Sequence, residues 1–216
     1  KIAGTTPDEI DVLVTAKGHD VKPARAAAPA THDWVFALTN LQTMQGYSGR
    51  GNFGIARMNG GFASRSLFML TPSADPGACF RRGVAAALSA RSAALEREGG
   101  YYRDDGLAVL WLEPWDDDTP LALADLDPLF VEVCRRIRLV RRADGRIEAL
   151  GRPSQTARVQ VPKDVKGNLG DAWTPVSAKE GAALTVGSGG LDYRLLHRIL
   201  DKERNEFIWP AAMSEP

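Results

Sequence analysis

A glycine-rich stretch without acidic residues constrains this chain more than any other feature. No Asp or Glu occurs in the 41 positions between Asp33 and Asp75, although 27 of the 216 residues are acidic. Six glycines lie within positions 46–61. Glycine weakens helices and strands and lets the backbone approach a partner closely, so we expect a binding loop here. A phosphate-bearing partner or nucleic acid is the natural candidate, because the stretch carries arginines and aromatic rings. These are Arg50, Arg57, Arg65, Tyr47, Phe53 and Phe62.

Part of this stretch, Gly49 to Gly54, satisfies the pattern G-x-G-x-x-G of nucleotide-binding loops. A dinucleotide fingerprint needs a strand before it and a long helix after it. Here residues 33–45 are predicted to form a helix, and Gly60-Gly61 interrupts the segment on the other side of the pattern. A protein kinase also needs a lysine on the next strand and a D-F-G motif, and neither is present. A nucleotide-binding enzyme is therefore the weakest alternative.

The composition predicts a globular protein without a membrane segment or a metal. Hydrophobic residues make up 44% of the chain and the formal net charge is zero, so any nucleic-acid contact must come from a local patch. Cys79 and Cys134 form neither a zinc pair nor a disulfide framework, which favours buried thiols and a cytoplasmic location. The acidic triplet Asp116 to Asp118 is interpreted as a solvated turn. His19 and His32 lack any placed nucleophile, so no catalytic residue is predicted.

The order of elements predicts an irregular α+β fold of short sheets and hairpins packed with several helices. No β-α-β rhythm and no repeat is visible, which argues against a doubly wound sheet. A hairpin over 137–150 should turn at Ala143-Asp144-Gly145, and Trp111 and Trp115 should lie in the core or at its rim. The long helix should have Cys79, Val84, Ala87, Leu88 and Leu95 as its inner positions. Predicted helices cover 7–14, 33–45 (capped by Asp33), 76–98, a segment from Asp127 through Cys134, and 191–205; predicted strands cover 66–70, 107–112 and 158–162.

Two basic segments are further candidates for binding. Five arginines lie between Arg135 and Arg142, at the start of the predicted hairpin. They fit either a solvated edge strand, where charge prevents aggregation, or a surface for nucleic acid or an acidic partner. Lys163 and Lys166 lie in a glycine-bounded loop over 161–170, which suits the insertion of a single charge into a groove or an ordinary turn.

Five segments in order resemble the CasA family, whose members are the large subunits of the type I-E CRISPR surveillance complex Cascade. The resemblance is to the N-terminal domain of that family and covers most of the 216 residues. It implies that residues 1–216 are one such domain, a fragment of a longer polypeptide whose C-terminal helical bundle and strand-separating wedge would lie beyond Pro216. The segments are residues 11–22, 34–45, 55–61, 110–115 and 171–175.

The same resemblance implies a non-enzymatic DNA-recognition subunit in antiviral defence. Its partners would be double-stranded target DNA, a guide RNA, the other Cascade subunits and a recruited helicase-nuclease, with no cofactor and no metal. Asn59, Gly60 and Gly61 match the glycine loop that contacts the element flanking the target. Lys166 is the nearest match to the inserted lysine, and Lys163 is its alternative.

The chemistry of the loop is compatible with these roles. Bare glycine backbone fits a minor groove about 6 Å wide, where side chains would clash. Arg57 and Arg65 can neutralise phosphates, while Tyr47, Arg50 and Phe53 suit a contact with the backbone or with unpaired bases of the guide RNA. A protein-interaction scaffold without nucleic-acid contacts of its own remains the main alternative.

Overall fold

A computed structural model describes residues 2–10, 29–44, 66–71, 73–97, 100–116, 119–131, 133, 135–187 and 189–214. Within these residues it contains three α-helices and nine short strands, which confirms the predicted irregular α+β fold. No described helix is long and apolar enough to cross a membrane. The helices are α1 (Thr31–Met44), α2 (Pro76–Glu96) and α3 (Tyr193–Leu200). The strands are β1 (Ile2–Gly4), β2 (Leu107–Val109), β3 (Leu121–Ala122), β4 (Leu126–Val131), β5 (Arg136–Arg141), β6 (Ile147–Arg152), β7 (Val159–Gln160), β8 (Val176–Ser177) and β9 (Phe207–Ile208).

The chain divides into two compact units, each built from three separate stretches of sequence. Unit 1 comprises residues 1–55, 110–120 and 131–158. Unit 2 comprises residues 56–109, 121–130 and 159–216.

Unit 1 is organised around an antiparallel sheet in the order β1-β6-β5. Strands β5 and β6 form the predicted hairpin, with Arg136 opposite Arg152 and Arg141 opposite Ile147. The turn lies where the sequence predicts it, since Gly145 adopts a φ of 85° that favours glycine. Strand β5 lies at the edge of this sheet, as one of the two interpretations of its arginines requires.

The core of unit 1 lies between α1 and the sheet, where Trp34, only 1% exposed, clusters with Ala37, Leu41 and Ala149. The apolar spacing predicts this helix correctly, because positions three and four apart share one face. It begins at Thr31, so the predicted cap by Asp33 is wrong: Asp33 is in the first turn, and its carboxylate accepts from the backbone N–H of Ala30 at 2.8 Å.

A buried glutamine fixes the start of β5. The Gln42 side chain donates to the backbone oxygen of Arg135 and accepts from its backbone N–H, both at 2.8 Å. This reciprocal pair satisfies the buried amide and ties α1 to the first residue of the arginine cluster.

Unit 2 combines α2 and α3 with three two-stranded pairings, β2 with β4, β3 with β7, and β8 with β9. Asp75 caps α2 by accepting from the backbone N–H groups of Gly77 and Ala78, and Pro76 occupies the first turn. The predicted inner face of this helix is wrong in part. Ala86 and Ala94 are its buried residues, whereas Val84 and Leu88 are 43% and 55% exposed.

The helix predicted from Asp127 is wrong, because these residues form β4. The Asp127 carboxylate does not cap a helix but accepts from the guanidinium of Arg91 at 2.7 and 2.9 Å. Pro128 also disfavours helical backbone at the residue before it. Cys134 lies outside the described residues.

Five other element predictions need correction in length or type. Residues 66–70 form no named strand, although Phe68 donates to the Trp173 carbonyl at 2.8 Å, and Leu67 is 59% exposed. The predicted 107–112 strand stops at Val109 and continues as the 3-10 helix Leu110–Leu112. Of the strand predicted over 158–162, only β7 is observed. The final helix ends at Leu200, where the indole of Trp209 donates to the Ile199 carbonyl at 2.7 Å. Near the N-terminus, only the 3-10 helix Pro7–Glu9 of the predicted 7–14 helix is described.

Candidate nucleic-acid interface

Most of the site predicted from sequence lies outside the described residues. This is true of Tyr47, Arg50, Phe53, Arg57, Asn59, Gly60, Gly61 and Arg65. Their roles stay predictions, and the described part of the predicted site is the lysine turn of unit 2.

The lysine turn, residues 163–167, has an unusual backbone. A 3-10 helix over Lys163–Val165 is followed by Lys166 at φ 48° and ψ 40°, in the left-handed region. That conformation costs an ordinary L-residue about 1 kcal/mol or more. The described residues contain one other non-glycine positive φ, at Asn205, a residue type that tolerates it better.

Buried neighbours and a second turn, at residues 178–181, hold Lys166 in place. Val165 and Leu169 are 6% and 2% exposed, so they anchor both sides of the turn. The Lys166 carbonyl accepts from the Ala183 N–H at 3.1 Å, and the Asn168 side chain donates to the Gly181 carbonyl at 3.2 Å. The two turns therefore support each other.

The side chain of Lys166 is exposed, and its charge has no described carboxylate partner. Its Nζ donates to the Glu180 carbonyl over 3.4 Å, which is a long and weak bond. The cation is therefore available to a partner at little cost. Lys163 lies in the same turn, but the position of its side chain is not described.

A second basic site lies in unit 1, where residues 110–116 lie beside one end of the β5–β6 hairpin. Between them is a groove of about 660 Å³. Five arginines, two tryptophans and one glutamate are among its lining residues, and we call it the arginine–tryptophan groove. These eight residues are Arg135, Arg136, Arg138, Arg152, Arg158, Trp111, Trp115 and Glu113.

Three of these arginines share one face of the hairpin. Arg136 is directly opposite Arg152, and Arg138 is two residues farther along β5. Like charges directly opposite each other destabilise a sheet. Arg138 and Arg152 are exposed, and neither has an ion-pair partner in the described part of the chain.

Arg158 is 2% exposed and binds backbone carbonyls in place of carboxylates. Its guanidinium donates to the carbonyls of Leu110, Glu113 and Pro114 at 3.0 to 3.2 Å. Burial lowers the pKa of Arg158, and the negative charges of Asp116 and Glu113 oppose that effect. An arginine remains protonated in proteins, so a positive charge is fixed beneath the groove.

Arg136 completes the support of this segment. It donates to the carbonyls of Trp115 and Asp116, both at 3.0 Å. With the three bonds of Arg158, five carbonyls of residues 110–116 are held by two guanidinium groups.

The two tryptophans of the groove differ in burial. Trp115 is half-buried, with the Arg158 guanidinium 5.9 Å from its ring centroid, as expected of a residue at the core rim. Trp111 is 42% exposed, so its predicted place in the core is wrong. The 3-10 turn is the reason, because Leu110 takes the buried position and is fully covered.

Sequence reasoning missed this groove, although part of it was accessible. The arginines from Arg135 to Arg142 were identified as a candidate surface, but the predicted hairpin over 137–150 did not include the facing pair Arg136 and Arg152. The contribution of Arg158 was hidden, because it follows the hairpin and was predicted to begin a strand.

The described residues do not indicate a metal site. Among the residues that the structure describes, no group of three His, Cys, Asp or Glu side chains could hold a metal ion. Cys79 is half-buried in α2 and its thiol donates to the Ser73 carbonyl at 3.4 Å.

Comparison with known protein families, curated proteins and solved structures finds no match to this chain. The resemblance to CasA therefore rests on the five sequence segments alone.

Proposed function

We propose that this chain is a non-enzymatic DNA-recognition subunit of a CasA-like guide-RNA surveillance complex. In this role it contacts the element flanking the target in double-stranded DNA. A cytoplasmic location, a guide RNA, further Cascade subunits and a recruited helicase-nuclease are parts of the same proposal. The observation that carries it is the exposed Lys166 on its left-handed turn.

The geometry of Lys166 suits insertion into a narrow groove. A minor groove about 6 Å wide is too narrow for backbone that carries bulky side chains, but the slender side chain of a lysine can enter it. The left-handed backbone costs stability, and such cost is found most often where function requires a particular side-chain position. Asn59, Gly60 and Gly61 would supply the second contact, with Arg57 and Arg65 on phosphates.

Lys166→Gly separates the role in binding from the role in folding. Glycine accepts the left-handed backbone without strain, so the variant should unfold at the same or a higher temperature than the wild type. Its affinity for the flanking element should fall about tenfold, which is the scale of one lost groove contact.

The matched control is Lys179→Ala, which removes an exposed lysine from the neighbouring turn. Binding is measured on duplexes with randomised flanking sequence, over a range of salt concentrations. Affinity of Lys166→Gly equal to that of the wild type would contradict the proposal. So would wild-type affinity that does not fall as salt rises.

The alternative, a protein-interaction scaffold, is favoured by one feature of α2. Phe80, Val84 and Leu88 follow each other at intervals of four residues and are 73%, 43% and 55% exposed. Such spacing places apolar side chains on one helix face, as in helices that dock on a partner. Phe80→Ser should weaken assembly with the other subunits under this alternative, while DNA affinity stays unchanged.

A further inference from the structure

The opposed arginines of the β5–β6 hairpin are unfavourable for folding on their own. Arg136 and Arg152 face each other, and Arg138 adds a third positive charge to the same face. A ligand with several negative charges would relieve this repulsion. The feature therefore points to a polyanion.

The cations of the groove are guanidinium groups, and this indicates which anionic groups the polyanion carries. A guanidinium is a planar fork that donates two parallel bonds to a phosphate. Arg138 and Arg152 are exposed and without described ion pairs, so their donors can face a ligand. Glu113 is the one acidic residue among the groove's lining residues, so positive charge dominates there.

Trp111 distinguishes a nucleic acid from other polyanions. Its ring is 42% exposed at the groove, and a nucleobase can stack on such a ring. Bases of a duplex are already stacked on each other, so a ring of this kind selects an unpaired strand. A peptide with only acidic side chains has no flat ring to stack on it.

The groove is organised before any ligand binds. Arg158 and Arg136 hold the carbonyls on both sides of Trp111, from Leu110 to Asp116. A fixed segment loses little conformational freedom on binding, which favours affinity. The volume of about 660 Å³ lies within the range of sites that enclose a small organic molecule, so a short stretch of nucleotides fits.

We propose that the arginine–tryptophan groove binds a single-stranded nucleic acid, with phosphates on Arg138 and Arg152 and an unpaired base on Trp111. This site is distinct from the lysine turn and does not depend on duplex recognition by Lys166.

The test measures binding of fluorescein-labelled 12-nucleotide oligo(U) and oligo(dT) to the 216-residue chain by fluorescence anisotropy. The double variant Arg138→Ala/Arg152→Ala should lose at least tenfold in affinity. The slope of log affinity against log salt should become shallower by about 1.4, because each lost phosphate contact contributes about 0.7. Circular dichroism verifies that the variant is folded.

The charge-matched control is Arg97→Ala/Arg141→Ala, which removes two exposed arginines that lie outside the groove and have no described ion pair. It should keep affinity within about twofold of the wild type. Trp111→Ala should lose about tenfold, and Trp111→Phe should keep most of the affinity because a phenyl ring still stacks. Lys166→Gly should leave single-strand affinity unchanged, which separates this test from that of the proposed function.

Equal losses in the groove and control double variants would overturn the proposal, since they would show a nonspecific charge effect. Competition by polyglutamate as effective as that by oligo(U) would also overturn it, in favour of an acidic protein partner. Groove-dependent binding of a blunt duplex as tight as that of single strands would do the same. Tighter binding of oligo(U) than of oligo(dT) would support the proposal and indicate a contact with the 2′-hydroxyl groups. Equal affinity for the two would support recognition by backbone and base alone.

Discussion

Arginines of the arginine–tryptophan groove have different partners from arginines that bind carboxylates elsewhere in the chain. In unit 2, Arg91 binds the carboxylates of Asp127 and Asp104 at 2.7 and 2.6 Å, and Arg198 binds Glu206 at 2.7 Å. In the arginine–tryptophan groove, Arg136 and Arg158 bind carbonyls, and Arg138 and Arg152 have no described ion pair. Arg142 and Arg146 of unit 1 are also paired with carboxylates, so the contrast is between the groove and other sites, not between the two units.

This difference teaches how to separate structural from binding arginines. A carboxylate neutralises a guanidinium, so the pair has no remaining attraction for an anion. Carbonyls satisfy the donors but leave the net charge in place. The partner atoms of an arginine thus show whether its charge stays unneutralised, which its exposure alone does not.

The largest expected effect on stability comes from Arg158→Met. The substitution leaves three carbonyls without their donor, including the buried one of Leu110. The free energy of unfolding should fall by about 2 to 3 kcal/mol, the cost of unsatisfied buried polar groups. Urea denaturation followed by tryptophan fluorescence measures it. A change below about 0.5 kcal/mol would mean that water replaces the guanidinium freely.

Arg91→Met tests the carboxylate-paired class. It leaves Asp127, whose side chain is 10% exposed, without its cation, so the thermal midpoint should fall. Asp104→Asn is the control, because the Asp104 side chain is 83% exposed and should contribute little. Adding Asp127→Asn to Arg91→Met should restore part of the loss. Equal midpoints for Arg91→Met and Asp104→Asn would argue against a structural role of the buried pair.

Arg152→Thr should stabilise the protein, in contrast to Arg158→Met and Arg91→Met. It removes the like charge opposite Arg136 and introduces a residue that favours strands. The expected gain is about 0.2 to 1 kcal/mol, measured by chemical denaturation. A loss of similar size would show that Arg152 contributes to folding and would weaken its assignment to binding.

The smallest expected effect is at the hairpin turn. The Arg146 guanidinium, at 2.6 Å from the Asp144 carboxylate, lowers the pKa of that carboxyl, and the Arg146 backbone N–H adds to the effect. Because the pKa is lower in the folded state, the pair stabilises the fold above the unfolded carboxyl pKa of about 3.9. This contribution is lost as pH falls through the folded value.

An NMR titration of the Asp144 carboxyl checks the direction of this shift. Arg146→Met should raise the Asp144 pKa towards its ordinary value and flatten the acid dependence of stability. An unchanged pKa in the variant would assign the shift to the backbone N–H alone.

Local patterns predicted some elements well and others poorly, for physical reasons. Helix α1, the start of α2 at Pro76 and the β5–β6 hairpin each depend on nearby residues, and each is confirmed. The segment from Asp127 was predicted as a helix because aspartate followed by proline often caps one. Its carboxylate instead binds Arg91, which is 36 residues away, and no local pattern contains that contact.

The candidate site was predictable to a similar extent. Lys166 was identified from its glycine-bounded loop, but its left-handed backbone was not. The arginine cluster from Arg135 to Arg142 was identified as a possible binding surface, whereas the pairing of Arg136 with Arg152 and the exposure of Trp111 on its 3-10 turn were not. The glycine loop around Asn59, Gly60 and Gly61 stays a prediction from sequence.

The division of each unit among three sequence stretches has a consequence for synthesis. Strand β1 pairs with Ala149 to Gly151 of β6, so Ile2–Gly4 has no sheet partner until the ribosome has released about 150 further residues. Arg158 ends the last stretch of unit 1, which makes closure of that unit a late event. Such long-range pairing favours slow folding, and cleavage at one site cannot release either unit intact.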